Sequence, residues 1–392
     1  MRTYRIEHPA AAIHVPLLGR KLADSFGFPE ADAEEWFQYA GQANLTTLWE
    51  GEALIGGLIC IPQAQFFGGR SVPAVGIAGV GVLAEYRRGG AARTLMTETL
   101  RRLRAQGVAL STLFASTHGL YAHVGYGVAG TRHQGRTPTT AIQVALEPTL
   151  EVRRLGDGDR PAQHALYTQQ ATHRPGHLDR GPYVWYRTQR TWRGRPAIST
   201  GVFAGEQLVG YVTWRRASSE PPSELLLTDV VAPTAAIARR IWGFLKDHGT
   251  MAPAVTGFTS PDDPFWLTLP QPGPEVVLSQ TWMLRLVDLP AAIAARGFAA
   301  ALSLEVCFQV EDEIIKENNG IWTLSVADGV GRLRPGGTPE AQVRIQGLAG
   351  LYSGFHTTRA LAARGLLEAS PGAADRLDTL FAGAAPWLPD MF

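Results

Sequence analysis

The spacing of apolar residues changes period in a way that repeats along the chain. Between Gly90 and Gly107, small or apolar residues at Ala92, Leu95, Met96, Thr99, Leu100 and Leu103 fall at i, i+3, i+4 and i+7, which predicts an amphipathic helix over 91–106 packed on a sheet. Its polar side carries Arg93, Arg101, Arg102 and Arg104, concentrated toward the C-terminal end that the macrodipole favours. Apolar runs at 75–83 and 108–115 flank the helix and predict buried strands. The same order returns downstream, where a strand-like run at 225–231 leads into a helical pattern over 235–247 that closes at Gly249. Ahead of each copy stands a matching turn and strand, Gly51-Glu52-Ala53-Leu54-Ile55-Gly56-Gly57 and Gly205-Glu206-Gln207-Leu208-Val209-Gly210-Tyr211. The offset from Gly51 to Gly205 is 154 residues, too long for a solenoid repeat, so the pattern predicts one α/β domain present twice.

The C-terminal part has a different rhythm. Trp322-Thr323-Leu324-Ser325-Val326 and Ala341-Gln342-Val343-Arg344-Ile345 have strand character, while 347–354, 358–367 and 373–381 have helical spacing, so a third, α+β unit is expected. A prior of ~150 residues per domain agrees with two or three units in 392 residues. The boundaries are expected near 147, in Glu147-Pro148-Thr149, and near 287, where Val287 meets Asp288-Leu289-Pro290, giving units 1–147, 148–287 and 288–392.

Composition narrows the function classes. With 45% hydrophobic and 18% charged residues the chain is globular, and 36 basic against 35 acidic side chains offer no general surface for nucleic acid. Lysine occurs only at Lys21, Lys246 and Lys316, a bias given no functional weight. Cys60 and Cys307 form neither a CxxC pair nor a disulfide framework, which fits a reducing interior and predicts a cytoplasmic protein. The stretch from Met1 to His8 lacks a signal-peptide core and no window approaches the ~18 apolar residues of a membrane span, so neither export by that route nor a membrane role is expected.

Candidate chemistry begins at the turn before the first helix. Glu85-Tyr86-Arg87-Arg88-Gly89-Gly90-Ala91-Ala92 places two arginines and two glycines between strand and helix, where unshared backbone N–H groups and the helix dipole favour an anion such as a pyrophosphate. The competing reading is a plain connecting turn with solvated arginines. A Walker A loop is excluded because GxxxxGK[ST] is absent, and Gly76, Gly79 and Gly81 lie inside the strand with the wrong spacing for GxGxxG. Glycines within a strand point instead to a bulge or to a ligand lying against the backbone.

Read as R-x-x-G-x-A, Arg87, Gly90 and Ala92 resemble the acyl-coenzyme A signature of the GNAT N-acetyltransferases. The strand at 108–115 followed by Ser116-Thr117-His118-Gly119-Leu120-Tyr121-Ala122-His123-Val124-Gly125-Tyr126-Gly127 resembles the GNAT strand and its tyrosine-bearing helix. Over essentially all 392 residues the chain resembles the enhanced-intracellular-survival (Eis) branch, through Leu120-Tyr121 and Gly125-Tyr126-Gly127, Pro290-Ala291-Ala292-Ile293-Ala294-Ala295-Arg296-Gly297, Leu351-Tyr352-Ser353-Gly354 and a terminal phenylalanine. The resemblance implies an α/β (α+β) chain of two fused GNAT-type domains, the second without an acetyl-CoA site, and a sterol-carrier-like third domain. It also implies a homohexamer. Val231-Ala232-Pro233-Thr234-Ala235-Ala236 occupies the second copy's turn without arginines or paired glycines, so that copy is expected to be silent.

The resemblance also implies the site. Acetyl-CoA is the co-substrate, its pyrophosphate held by Arg87, Arg88, Gly89, Gly90, Ala91 and Ala92 and its pantetheine by the main chain of Val80 and Val82. Tyr121 is the expected general acid, and the carboxylate of Phe392 the general base that receives the amine proton, against the alternative of a frayed tail. No metal is expected, since Pro175-Gly176 interrupts the i, i+4 pair His173 and His177. Tyr126, His118 and His123 are read as packing or incidental. Trp36, Phe37 and Trp49 are candidates for an acceptor pocket, with core packing the alternative. Where aminoglycoside-modifying relatives have polar pocket residues, this chain has Phe28, Phe114 and Met391, so an acceptor pocket poorer in negative charge is expected. The expected activity is acetyl transfer to a primary amine of a small molecule or lysine. The rivals are a non-catalytic lipid or small-molecule carrier built on the third unit, and transfer of a different acyl or aminoacyl group.

Overall fold

The computed structural model describes residues 2–145, 148–270 and 273–392. The first copy runs β1 (Tyr4–Glu7), α1 (Val15–Phe26), α2 (Glu30–Ala40), β2 (Leu45–Glu50), β3 (Ala53–Phe67), β4 (Arg70–Val82), α3 (Ala91–Ala105), β5 (Leu110–Leu113), α4 (His118–Ala122) and β6 (Gly127–Pro138). The second runs β7 (Glu151–Arg154), α5 (Arg160–Ala171), β8 (Leu178–Asp179), α6 (Pro182–Gln189), β9 (Ile198–Ala204), β10 (Gln207–Arg216), β11 (Leu225–Val231), α7 (Ala235–Lys246), β12 (Ala254–Thr259), α8 (Pro264–Leu267) and β13 (Glu275–Leu286). The sequence echo is a shared hairpin. Gly51 and Gly205 sit at the β2–β3 and β9–β10 tips with φ of 57° and 59°, where a side chain is disfavoured.

One sheet unites both copies in the order β1-β2-β3-β4-β5-β13-β6-β12-β11-β10-β9-β7, with β8 paired to β3. β13, from the end of the second copy, therefore lies between β5 and β6 of the first, with Met283 opposite Leu113 and Thr281 opposite Thr131. Burial of Trp282, Met283, Leu284 and Leu286 there accounts for their apolar run. Each copy contains one parallel pair that holds for three rungs and then parts: β4–β5 from Ala74/Leu110 to Gly76/Thr112, and β11–β12 from Leu225/Val255 to Leu227/Gly257. The two partings are crevices related by the duplication.

The third unit comprises α9 (Leu289–Ala295), β14 (Leu304–Glu311), β15 (Gly320–Ala327), β16 (Val330–Pro335), β17 (Ala341–Arg344), α10 (Ile345–Ser353), α11 (Thr358–Ala362), β18 (Leu367–Ala369) and α12 (Pro371–Phe381), with sheet order β16-β15-β14-β17-β18. The helix expected over 358–367 is shorter, because Gly365 at φ 64° ends it and Leu367 pairs with Val343 as an edge strand. Val306, Phe308, Leu324, Leu348 and Phe381 share one buried cluster with Leu18, Ile59, Phe67 and Leu284, so this unit packs on the first copy. Where the two meet, a Cβ on Gly68 would stand 1.9 Å from the carbonyl oxygen of Gly297. Of the expected boundary residues, Glu147 lies outside the described residues. At the other, the Val287 amide donates to the Ala109 carbonyl (2.9 Å) and Asp288 caps α9 through the Ala291 amide (2.9 Å).

Candidate active site

Past Gly76, β4 runs on to Val82 without β5. Gly57 faces Gly81 while Ile59 faces Ala78, so Gly79 (φ 58°) and Val80 form a bulge. The turn that follows has Arg88 at φ 64° and Gly90 at φ 87°, and Arg87 to Gly90 are exposed. Helix α3 begins there with no side-chain cap and no acidic residue in its first turn, leaving its initial N–H groups for a ligand. The turn is braced from below: the Tyr4 hydroxyl donates to the Gly89 carbonyl (2.8 Å) and Arg87 Nε to the Val82 carbonyl (2.9 Å). The Val82 carbonyl is thus already engaged by its own chain. In the second copy the Thr234 side chain accepts from the Ile237 amide (3.3 Å) and caps α7, filling the position an anion would take.

Tyr121 projects from α4 at the end of β5 and is 8% exposed. Burial pushes its hydroxyl up to about 12. Its ring meets Tyr126 edge-on at 6.0 Å. Tyr126 is fully buried and shares a 2.7 Å hydrogen bond with Ser111, so it is a packing residue. Gly125 (φ 90°) lies over the Arg285 guanidinium, and a Cβ there would stand 2.7 Å from Cζ. Arg285 in turn grips both Asp312 oxygens at 2.7 Å with both side chains fully buried, tying β13 to the third unit. His118 bonds Thr281 (2.9 Å) and His123 the Gly119 carbonyl (2.6 Å), both on the exposed side.

The C-terminal tail is folded against the sheet. Pro386 and Leu388 bracket Thr131 of β6 with main-chain bonds of 3.1 Å each, and the Phe392 ring is 7% exposed. That ring lies 5.9 Å from Phe114 and against Gly76, the last rung of β4–β5. Gln63 stands beside it with both amide atoms buried and without a partner among the described residues, Nε2 being 3.0 Å from where a Gly76 Cβ would sit. Arg132, also buried, lies 5.2 Å over the Phe114 ring, and desolvation lowers it to about 10. Nothing in the sequence singled out Gln63 or Arg132, because each takes its place only when β3 and β6 come together with the tail.

Trp36 lies across the bulge, its ring 2.8 Å from the position of a Gly79 Cβ, and meets Phe28 at 6.2 Å. Phe37 and Trp49 belong to the buried core. Met391 is 43% exposed, unlike its neighbours in the tail. His173 and His177 fall in the turn after α5, and His177 is buried with neither ring nitrogen bonded among the described residues. No cluster of three or more metal-ligating His, Cys, Asp or Glu side chains occurs among the described residues.

Comparison with known proteins identifies the domains. Models of the acetyltransferase (GNAT) domain match residues 17–129 and 176–286, and a sterol carrier protein domain model matches 289–389. A crystallographic GCN5-related N-acetyltransferase from Anabaena variabilis superposes over 100% of both chains with a TM-score of 0.95 and 31% identity. The chain belongs to the GCN5-related N-acetyltransferases. It is an N-acetyltransferase of the GNAT family, and the GNAT domains imply acetyl-CoA as co-substrate. It is also 29% identical over 367 residues to an uncharacterized N-acetyltransferase of Streptomyces avermitilis (88% of each chain). Over 335 residues it is 27% identical to N-acetyltransferase Eis of Mycobacterium tuberculosis, covering 80% of this chain and 79% of that one. With two GNAT domains followed by a sterol carrier domain, it is an Eis-like member. In this GNAT only the first copy keeps an uncapped, arginine- and glycine-bearing turn, which fits a coenzyme diphosphate. No helix among the described residues is long and apolar enough to cross a membrane.

Proposed function

We propose that the protein transfers acetyl from acetyl-CoA to the primary amine of an acceptor with an apolar or aromatic body, by direct attack in a ternary complex. The amine nitrogen attacks the thioester carbonyl carbon, the C–S bond breaks, the nitrogen proton passes to the Phe392 carboxylate, and Tyr121 gives its proton to the departing thiolate. Arg87, Arg88, Gly89, Gly90, Ala91 and Ala92 hold the diphosphate, and Val80 in the bulge, with Val82, lies along the pantetheine. On this reading the chain divides near 147 and 287, the second GNAT unit is silent, and the protein works as a cytoplasmic homohexamer.

One observation carries the acceptor class: the crevice is bordered by Trp36, Phe28, Phe114 and the Phe392 ring, with the buried Arg132 guanidinium 5.2 Å over the Phe114 ring. A cationic neighbour and aromatic walls oppose a polycation and favour an amine carried on apolar surface. The test is a mass-spectrometric panel of aryl-alkyl amines, lysine peptides and aminoglycosides with acetyl-CoA. Aryl-alkyl amines should be acetylated best. Preferential acetylation of aminoglycosides would overturn the acceptor class, and no acetylated product with any amine would overturn the reaction.

A further inference from the structure

The crevice of the second copy is occupied by the molecule's own tail. Trp387 and Pro389 line a cavity of about 30 Å³, room for about one water, together with Leu227, Asp229, Phe258 and Phe265, where β11 and β12 part. At the floor of that region Arg180 donates twice to Asp229 (2.6 and 2.9 Å) and also reaches both oxygens of Asp390 (3.1 and 2.8 Å). The side chains of Arg180 and Asp390 are each 1% exposed. Tyr167 donates to Asp390 (3.3 Å) and lies under the guanidinium at 3.6 Å, while Tyr211 donates to Asp229 (2.7 Å).

Three glycines clear the path of the tail. A Cβ on Gly130 would stand 2.5 Å from the Pro386 carbonyl oxygen, one on Gly176 3.0 Å from that of Trp387, and one on Gly76 2.5 Å from the Phe392 ring. The Trp387 amide donates to the Pro175 carbonyl (3.2 Å), and Arg132 Nε to the Pro389 carbonyl (3.3 Å). The tail thus crosses from the parting of β11 and β12 to the parting of β4 and β5, with the single residue Met391 between Asp390 in one and Phe392 in the other.

We propose that the second GNAT copy serves as a socket for the C-terminal tail, with Arg180 and Asp229 gripping Asp390 so that Phe392 is held against Gly76 at the catalytic crevice. Asp390 and Arg180 are positioning residues, acting through Phe392. A buried ion pair with bidentate geometry suits this use, since it specifies one register and costs much when one partner is lost. The consequence for turnover rests on the proposed role of Phe392; the socket itself does not.

The test is hydrogen exchange by mass spectrometry on the full chain, comparing wild type with Asp390→Ala and Asp390→Asn, alongside kcat and the acetyl-CoA Kd. In Asp390→Ala, exchange across 386–392 should rise at least about tenfold while β5 stays protected, kcat should fall about tenfold or more, and Kd should stay unchanged. Asp390→Asn keeps the side-chain volume and an acceptor for Arg180, and should recover part of both losses. Unchanged tail protection in Asp390→Ala would overturn the socket. Lost protection with unchanged kcat would support the socket and overturn Phe392 as the base.

Discussion

The ring of Phe392 occupies the space that a side chain at Gly76 would need: a Cβ there would stand 2.5 Å from Cδ2 and 2.7 Å from Cε2. These residues are 316 positions apart, by subtraction of 76 from 392, and meet at the last rung of the parallel pair β4–β5. Gly76→Ala should therefore push the tail out. We expect kcat to fall about tenfold or more with little change in fold, since a misplacement of ~1 Å in a reacting group costs up to about a hundredfold. Unaltered kinetics in this variant would show that the ring's position is immaterial to turnover.

Tyr121→Phe removes the proposed acid and nothing else from the packed cluster. Turnover should drop about 10²-fold or more, with acetyl-CoA affinity retained by calorimetry. The pH profile supplies a second check. The acid must be protonated to act, and burial raises Tyr121 to about 12, so its active form is complete through pH 10 and is lost only as the pH approaches 12. A decline in kcat centred near pH 10 would assign the limb to an unburied tyrosine or to another group.

Gly90, in the turn proposed to hold the diphosphate, has φ 87° and ψ 0°. Alanine in that conformation costs roughly 1–2 kcal/mol, so Gly90→Ala should either strain the turn or reshape it. Acetyl-CoA should bind about tenfold more weakly, with the acceptor KM little affected. Equal affinity by titration would place the diphosphate elsewhere.

Arg285 and Asp312 join the shared sheet to the third unit out of contact with water. Arg285→Met leaves a buried carboxylate without its partner, and a loss of about 3–5 kcal/mol is expected. Arg101 and Glu98, also 2.7 Å apart but half exposed on α3, should contribute less than about 1 kcal/mol. Paired denaturation curves for Arg285→Met and Arg101→Met measure the contrast, and similar midpoints would show that the buried pair is dispensable.

Much of this architecture was legible along the chain because its causes are local. The spacing of Leu95, Met96, Thr99, Leu100 and Leu103 is the buried face of α3, and the Gly51 and Gly205 turns need the same left-handed backbone. Arg87, Gly90 and Ala92 announce the turn because an exposed, uncapped helix start is a property of adjacent residues. Thr234, at the matching position, equally announces its own cap.

What required tertiary structure is everything made by residues that meet across the sheet. An apolar run such as 282–287 reports burial but not its neighbour, so the insertion of β13 between β5 and β6 is invisible until hydrogen-bonding partners are chosen. Gln63, Arg132, Arg180 and Asp390 read as ordinary polar residues in the sequence; in the fold Gln63 and Arg132 lie near Phe392 and Phe114, while Arg180 pairs with Asp390 of the tail. Met391, beside two buried neighbours, points to water. Local sequence determined the elements and the arginine- and glycine-bearing turn before α3, because backbone preference and amphipathic period act over a few residues. The crevices, their aromatic walls and the seat of the tail arise from long-range contacts, whose energy belongs to pairs and to no single position in the chain.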